Sequence, residues 1–217
     1  MKLETKGLFS NIEVVLFDVD GTLLDTFEFI YGAFEHAFAV HRIPPLTRKQ
    51  ISEIMGGPLE EVYATLAPGH NAALLAETHR MFQSENIRLS SLFPSTLEVL
   101  DHLQQCGFLM AAITTRSIRT SVRSLEATGI AHYFGVIISA EDVSLLKPHP
   151  EPLLKALDVL GAKPAEAIMV GDTPADIMAG KNAGTKTIAA LYGFSGERLL
   201  ATNPDYAIRD LRELLAL

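Results

Sequence analysis

At 217 residues, with 48% hydrophobic and 20% charged side chains, the chain has the composition of a folded protein and not of a disordered one. Its length allows one large domain or a core with a smaller module, and buries enough surface to need no disulfide or structural metal. A net charge of −8 argues against a phosphate-backbone binder such as a DNA-binding domain, but not against a small anionic ligand.

Cys106 is the single cysteine, so no disulfide within the chain can form; it reads as a small apolar residue on a helix, in keeping with a reducing compartment. The opening MKLETKGLFSNIE lacks the apolar stretch, roughly 7–15 residues long, of a signal peptide. No run approaches the length of about 18 apolar residues that a membrane span requires. The expectation is a cytoplasmic protein with neither membrane nor nucleic acid as a partner. Oligomeric state is not legible.

The first apolar run, Val14 to Phe17, is short, β-rich and ends at a carboxylate, as a buried parallel strand does. From Thr26 to Leu92 no convincing strand follows. Helical patterns occur instead around FEFIYGAFEHAFAVH, TRKQISEIMG, PLEEVYATLA and NAALLAETHRMFQSEN. Apolar runs return at Phe108–Thr114, Gly135–Ser139, Ala167–Val170 and Thr187–Leu191, with helical stretches between them. Gly107, Gly129, Gly161 and Gly184 stand where a glycine is expected just past a helix end. Strand–helix alternation of this kind predicts an α/β fold, a doubly wound parallel sheet, with an all-helical cap inserted after the first strand. The division expected is a core of residues 1–25 and 92–217 and a cap of residues 26–91. Ligands of such sheets lie beyond the carboxyl ends of the strands, so the chemistry is sought directly after each apolar run.

Four segments qualify. FDVDGT, Phe17 to Thr22, places Asp18 and Asp20 after the first strand, with Gly21 allowing a turn; an Asp-Gly hairpin turn is the structural alternative. GDTPAD, Gly171 to Asp176, places Asp172 at a strand end, while Thr173 and Asp176 match a capping box with Pro174 at the first helical position. LKPHPEP, Leu146 to Pro152, holds Lys147 on a proline-stiffened loop that opens a helix. AAITTR ends a strand at Thr114, followed by Thr115 and Arg116. Any one of these is weak. Together they gather carboxylates, a hydroxyl and a lysine at one sheet edge. Two carboxylates about 4 Å apart repel by roughly 4 kcal/mol at an effective dielectric of about 20, so such a cluster calls for a cation. An all-oxygen donor set suits a hard divalent ion, Mg2+ above others where phosphate is handled.

On these motifs the sequence resembles the haloacid dehalogenase superfamily of phosphatases. DVDGT is similar to that family's first motif, Thr114 to its second, Lys147 to its third and GDTPAD to its fourth, in order. The helical insertion resembles its small cap. The resemblance implies a Rossmann-like core and Mg2+-dependent hydrolysis of a small phosphorylated substrate through an aspartyl-phosphate. It implies Asp18 as nucleophile and Asp20 as acid and base. The metal would be held by Asp18, the Asp20 carbonyl and Asp172, with Asp176, Gly21 and Gly171 in support. Thr114, Thr115 and Lys147 would bind the phosphoryl group.

Within the family, the second acid Asp20 disfavours dehalogenation. The absence of lysine from MGGPLEEVY, Met55 to Tyr63, disfavours phosphonate cleavage. The nearest resemblance is to the phosphoglycolate phosphatase and pyrophosphatase-like group, with a sugar phosphomutase or a non-catalytic binding protein as alternatives. Arg116 stands where that group often has lysine, and LYGFSG, Leu191 to Gly196, resembles a loop it places near the site. In the cap, the helix start at Gly56 to Pro58 and Arg42, Arg80 and Arg88 are candidates for contact with the substrate.

Overall fold

The computed structural model describes residues 11–53 and 57–216. Its central strand is β1 (Val14–Phe17), in which every residue is buried. Side chains alternate along a strand, so Val15 and Phe17 face one layer of helices while Val14 and Leu16 face another. On the first face lie α5 (Thr96–Gln105) and α6 (Ile118–Ala127); on the second lie α7 (Glu151–Leu160) and α8 (Pro174–Ala183). Helix α5 shows how the sequence sets this packing. Its buried residues, Thr96, Val99, Leu100 and Leu103, follow the spacing of one helical face. It stops just before Gly107, whose φ of +85° suits glycine.

The remaining core strands are β4 (Leu109–Ile113), β5 (Val136–Ile138), β6 (Ala167–Gly171), β7 (Lys186–Ala190) and β8 (Tyr206–Ile208). The sheet order is β5-β4-β1-β6-β7-β8, all parallel. This is the Rossmann order, and its topological switch point falls between β1 and β6, where a crevice opens at the strand ends. The expected α/β doubly wound parallel sheet is therefore what the chain forms.

Two short linkers, β2 (Leu24–Asp25) and β3 (Ser91–Leu92), pair antiparallel at the base of the insertion. Beyond them lie α1 (Phe27–Val40), α2 (Arg48–Ser52), α3 (Leu59–Leu66) and α4 (Ala72–Glu85). These helices bury an apolar cluster of their own that includes Phe34, Phe38, Tyr63 and Leu75. Local chemistry marks their starts: Thr47 and Gln50 make a capping box, and Asn71 accepts from the Leu74 N–H.

The structure differs from the sequence reading at three points. Strands β2 and β3 are missed because two residues each carry no periodicity. Strands β4, β5 and β7 are displaced or shortened by one or two residues from their apolar runs. Cys106 is exposed just past α5, not a packed apolar residue. The closing strand β8 is followed by 3-10 turns at Leu211–Ala216.

Candidate active site

Four loops converge at the switch point. Asp18 directly follows β1, and its backbone N–H donates to the Val170 carbonyl of β6 at 2.9 Å. Asp172 directly follows β6. Adjacent parallel strands thus deliver two carboxylates side by side. Thr114 follows β4, with its N–H bonded to the Ile138 carbonyl. Lys147 reaches in from the loop before α7 and donates to the Ile113 carbonyl at 3.0 Å.

The turn after Asp18 is held by backbone bonds from Leu23 and Leu24 to Val19 and from Gly21 to Leu24. Gly21 takes a φ of +86°, and a Cβ there would lie 2.3 Å from Asp172 Oδ2. A Cβ on Gly171 would lie 2.3 Å from the Asp176 Cβ. Both glycines are needed for the carboxylates to approach. Thr173 and Asp176 do form the capping box, the Asp176 Oδ2 accepting from the Thr173 N–H and hydroxyl at 2.9 and 2.6 Å. One side chain therefore starts helix α8 and turns its second oxygen into the site.

Lys147 Nζ lies 2.5 Å from Asp18 Oδ1 and 2.6 Å from Asp176 Oδ1. Oxygens of Asp18, Asp172 and Asp176 all fall within 4.8 Å of one another, and all three residues are buried. Asp172 is further fixed by the Phe194 N–H at 2.6 Å, within the loop Leu191–Gly196. Burial pushes the Asp18 carboxyl up to about 8, Lys147 opposing this and the Asp176 and Asp20 charges adding to it. Burial, with the neighbouring Asp18 and Asp176 charges, likewise holds Asp172 well above the usual carboxylate range. Lys147 is raised despite its burial, because the two aspartates favour its charged form.

With all three carboxylates ionised, one ammonium would leave two negative charges uncompensated in a buried space, so the group must take up either protons or a cation. Asp176 Oδ1 is buried and meets Lys147 as an ion pair without an aligned hydrogen bond. A hard divalent cation fits this all-oxygen donor set and its charge.

The group opens into a cavity of about 300 Å3 lined on the core side by Asp18, Asp20, Thr115, Arg116, Lys147 and Asp176. Helices α1, α3 and α4 supply the opposite wall, where Glu60, His79, Arg80 and Gln83 stand among apolar residues. Asp20 points at this space and is bound by Arg116 at 3.0 Å. The same guanidinium donates to the Thr120 carbonyl and Ser124 hydroxyl and lies 4.5 Å over the Phe29 ring of α1.

The structure thus brings together Asp18, Asp20, Lys147, Asp172 and Asp176, with Gly21 and Gly171 as their spacers. Thr115 lines the cavity, whereas Thr114 is buried beneath it and accepts from the Arg116 N–H at 3.1 Å. Of the cap arginines, Arg80 reaches the cavity, paired to Glu60 at 2.6 Å; Arg42 and Arg88 do not line it. Gly57 and Pro58 line it at the start of α3, while Gly56 lies outside the described residues. Sequence reasoning did not find the Arg116 bond to Asp20, the Phe194 N–H, or His79 and Gln83. The only local signal for the last two is a pair of polar residues four apart on an amphipathic helix.

The family model for haloacid dehalogenase-like hydrolases matches residues 15–190. Pyrophosphatase PpaX of Halalkalibacterium halodurans is 37% identical over 205 residues, covering 94% of this chain and 95% of that protein. A haloacid dehalogenase-like family hydrolase from Streptococcus pneumoniae superposes with a TM-score of 0.87 at 28% identity, covering 95% and 98% of the two chains. A predicted phosphoglycolate phosphatase from Haemophilus somnus shares the fold, with a TM-score of 0.87 at 22% identity over 95% and 97% of the two chains. The chain belongs to the haloacid dehalogenase-like hydrolase family. It is an enzyme of that family's phosphatase type. Among the described residues, no helix is long and apolar enough to cross a membrane.

Proposed function

We propose that the chain is a Mg2+-dependent phosphohydrolase that cleaves a small phosphorylated metabolite, monoester or pyrophosphate, through a phosphate ester on Asp18. The observation that carries this reading is the buried contact of Asp18 with Lys147, Asp172 and Asp176 at the floor of a cavity. Asp18 uses Oδ1 to accept from Lys147, and among the described residues Oδ2 has no hydrogen-bond partner, which leaves it for attack on phosphorus. Asp18, Asp172 and Asp176 would hold the metal, with the Asp20 carbonyl as a further ligand. When bound, Mg2+ would offset the repulsion between a carboxylate and a phosphoryl dianion and stabilise charge on the transferring oxygens.

Lys147 orients Asp18 and supplies a fixed positive charge beside the developing transition state. Thr115 and the backbone N–H groups of the turn after Asp18 offer donors to the phosphoryl oxygens. Asp20 stands in the same cavity and protonates the leaving oxygen, then takes a proton from the water that frees Asp18. Arg116 holds the Asp20 side chain in place. Helices α1–α4 act as a cap, residues 26–91 over a core of residues 1–25 and 92–217, and shield the reaction from bulk water. Its aromatic seam with the core, Phe27 and Tyr31 against Phe194 at 4.5 and 5.9 Å, supports this reading. The cytoplasm, with its free Mg2+ and phosphorylated metabolites, is the compartment this chemistry suits.

The test is release of phosphate from an aryl phosphate by the purified chain. Activity is expected with Mg2+, none with chelator, and none in Asp18→Asn. Undiminished turnover by Asp18→Asn would remove the nucleophile assignment.

A further inference from the structure

The cap wall of the cavity holds polar groups that the phosphoryl chemistry does not use. His79 and Gln83 are four residues apart on α4 and so share one helix face, and both line the cavity. Each is more than nine-tenths buried. Among the described residues the Gln83 amide has no hydrogen-bond partner, and it is not one of the wholly buried polar atoms, so the cavity is what it faces. His79 has one: its Nδ1 lies 3.0 Å from the Tyr63 hydroxyl. Tyr63 is fully buried and has no other hydrogen-bond partner among the described residues, so its O–H is satisfied only by donating to that nitrogen. The imidazole proton then sits on Nε2, the nitrogen left without a protein partner. Burial keeps the ring neutral, its pKa falling to about 3.

The arginines facing this part of the cavity, from the cap and from the core, are already balanced. Arg80 is paired to Glu60 at 2.6 Å, and Arg116 to Asp20 at 3.0 Å. Around these groups the lining is apolar, with Ile30, Phe34 and Val62. A second phosphate entering here would surrender its hydration to neutral donors, carbon surface and arginines already engaged by carboxylates. An organic group would bury its carbons and satisfy the two open polar side chains.

We propose that His79 and Gln83 form a leaving-group subsite for an organic phosphate ester. An oxygen acceptor on the alcohol receives hydrogen bonds from the His79 Nε2–H and the Gln83 amide, while its carbons pack on Ile30, Phe34 and Val62. This rests on the phosphatase reading above and narrows it: inorganic pyrophosphate is the poorer substrate, whatever related proteins are called.

The test compares kcat/KM of the full chain with Mg2+ on glycerol 3-phosphate, ethyl phosphate and pyrophosphate. Glycerol phosphate should exceed both others by about tenfold or more, because a site built to bond an oxygen rejects an analogue without it. Gln83→Leu should bring glycerol phosphate down toward the ethyl phosphate value. Pyrophosphate as the best of the three, or equal rates on the two esters, overturns the subsite; both are read on the unmutated chain, so neither depends on how Gln83→Leu folds. Failure to hydrolyse any of these or an aryl phosphate overturns the phosphatase reading itself, and the subsite with it.

Discussion

Replacing Lys147 with Met separates the electrostatic role of this residue from its bulk. The ammonium is buried, donating to Asp18 Oδ1 and the Ile113 carbonyl at 2.5 and 3.0 Å and ion-paired with Asp176 Oδ1 at 2.6 Å. Methionine fills most of the same volume but leaves the carboxylates and a carbonyl without their partner. Removing one side of a buried ion pair costs about 3–5 kcal/mol when the remaining charge cannot escape. Here it escapes in part by taking up a proton. Lys147 lowers the Asp18 pKa, so its loss raises a value that already stands at about 8 still further above the ordinary 3.8. A group whose folded pKa is raised contributes stability at low pH and loses it as pH climbs through that folded value. The destabilisation of Lys147→Met in chelator should therefore be small near pH 5, roughly 1 kcal/mol, and reach about 3 kcal/mol near pH 9. Saturating Mg2+ should recover a large part of it, since metal at about a hundred times its Kd contributes roughly 2.7 kcal/mol. Urea unfolding at the two pH values, with and without metal, reads all of this. Equal stability of variant and wild type at pH 9 in chelator would refute the claim that Lys147 neutralises the acidic cluster.

Other expectations follow from single contacts. Gly21→Ala places a Cβ 2.3 Å from Asp172 Oδ2 at a φ of +86°. It should cost about 1–3 kcal/mol in urea unfolding and weaken Mg2+ binding in calorimetry, because the strain falls on the carboxylate that would hold the ion. Its indifference in both would show that the turn and Asp172 are not in contact. His79 should give the wild type an acid-sensitive window. Its folded pKa of about 3 lies below the ordinary 6.5, so its contribution is present above pH 6.5 and is lost as pH falls toward 3. In that window stability should drop by up to about 1.4 kcal/mol per pH unit from this group, and His79→Phe should flatten the profile by that amount. An unchanged slope in the variant counts against a buried neutral imidazole.

Much of the fold could be read from residue order. The β1 run Val14–Phe17 is found with its exact bounds because a fully buried strand is a continuous apolar string. The glycines after α5, α6, α7 and α8 adopt φ values from +70° to +85°, as their positions foretold. Asp18, Asp172 and Lys147 were legible because motif order on alternating strands and helices fixes which loops share a sheet edge. Partnerships between distant side chains were not legible. The Arg116 bond to Asp20 spans 96 residues, and the Tyr63 bond to His79 joins two helices whose crossing no periodicity predicts. Residue order assigns Asp176 both to a cap and to the acidic cluster, and the structure turns one oxygen to Thr173 and the other to Lys147. The exposure of Cys106 is not legible, because a helix-end residue can point either way and composition alone does not orient it.

The most direct measurement is chemical trapping of the nucleophile. The chain is mixed with Mg2+ and a phosphorylated substrate, quenched during turnover and treated with borohydride, which reduces an acyl phosphate to an alcohol. Peptide mass spectrometry should find homoserine in place of aspartate at position 18, with Asp20, Asp172 and Asp176 unmodified. Active turnover without reduction at Asp18, or with reduction at another carboxylate, would contradict the account.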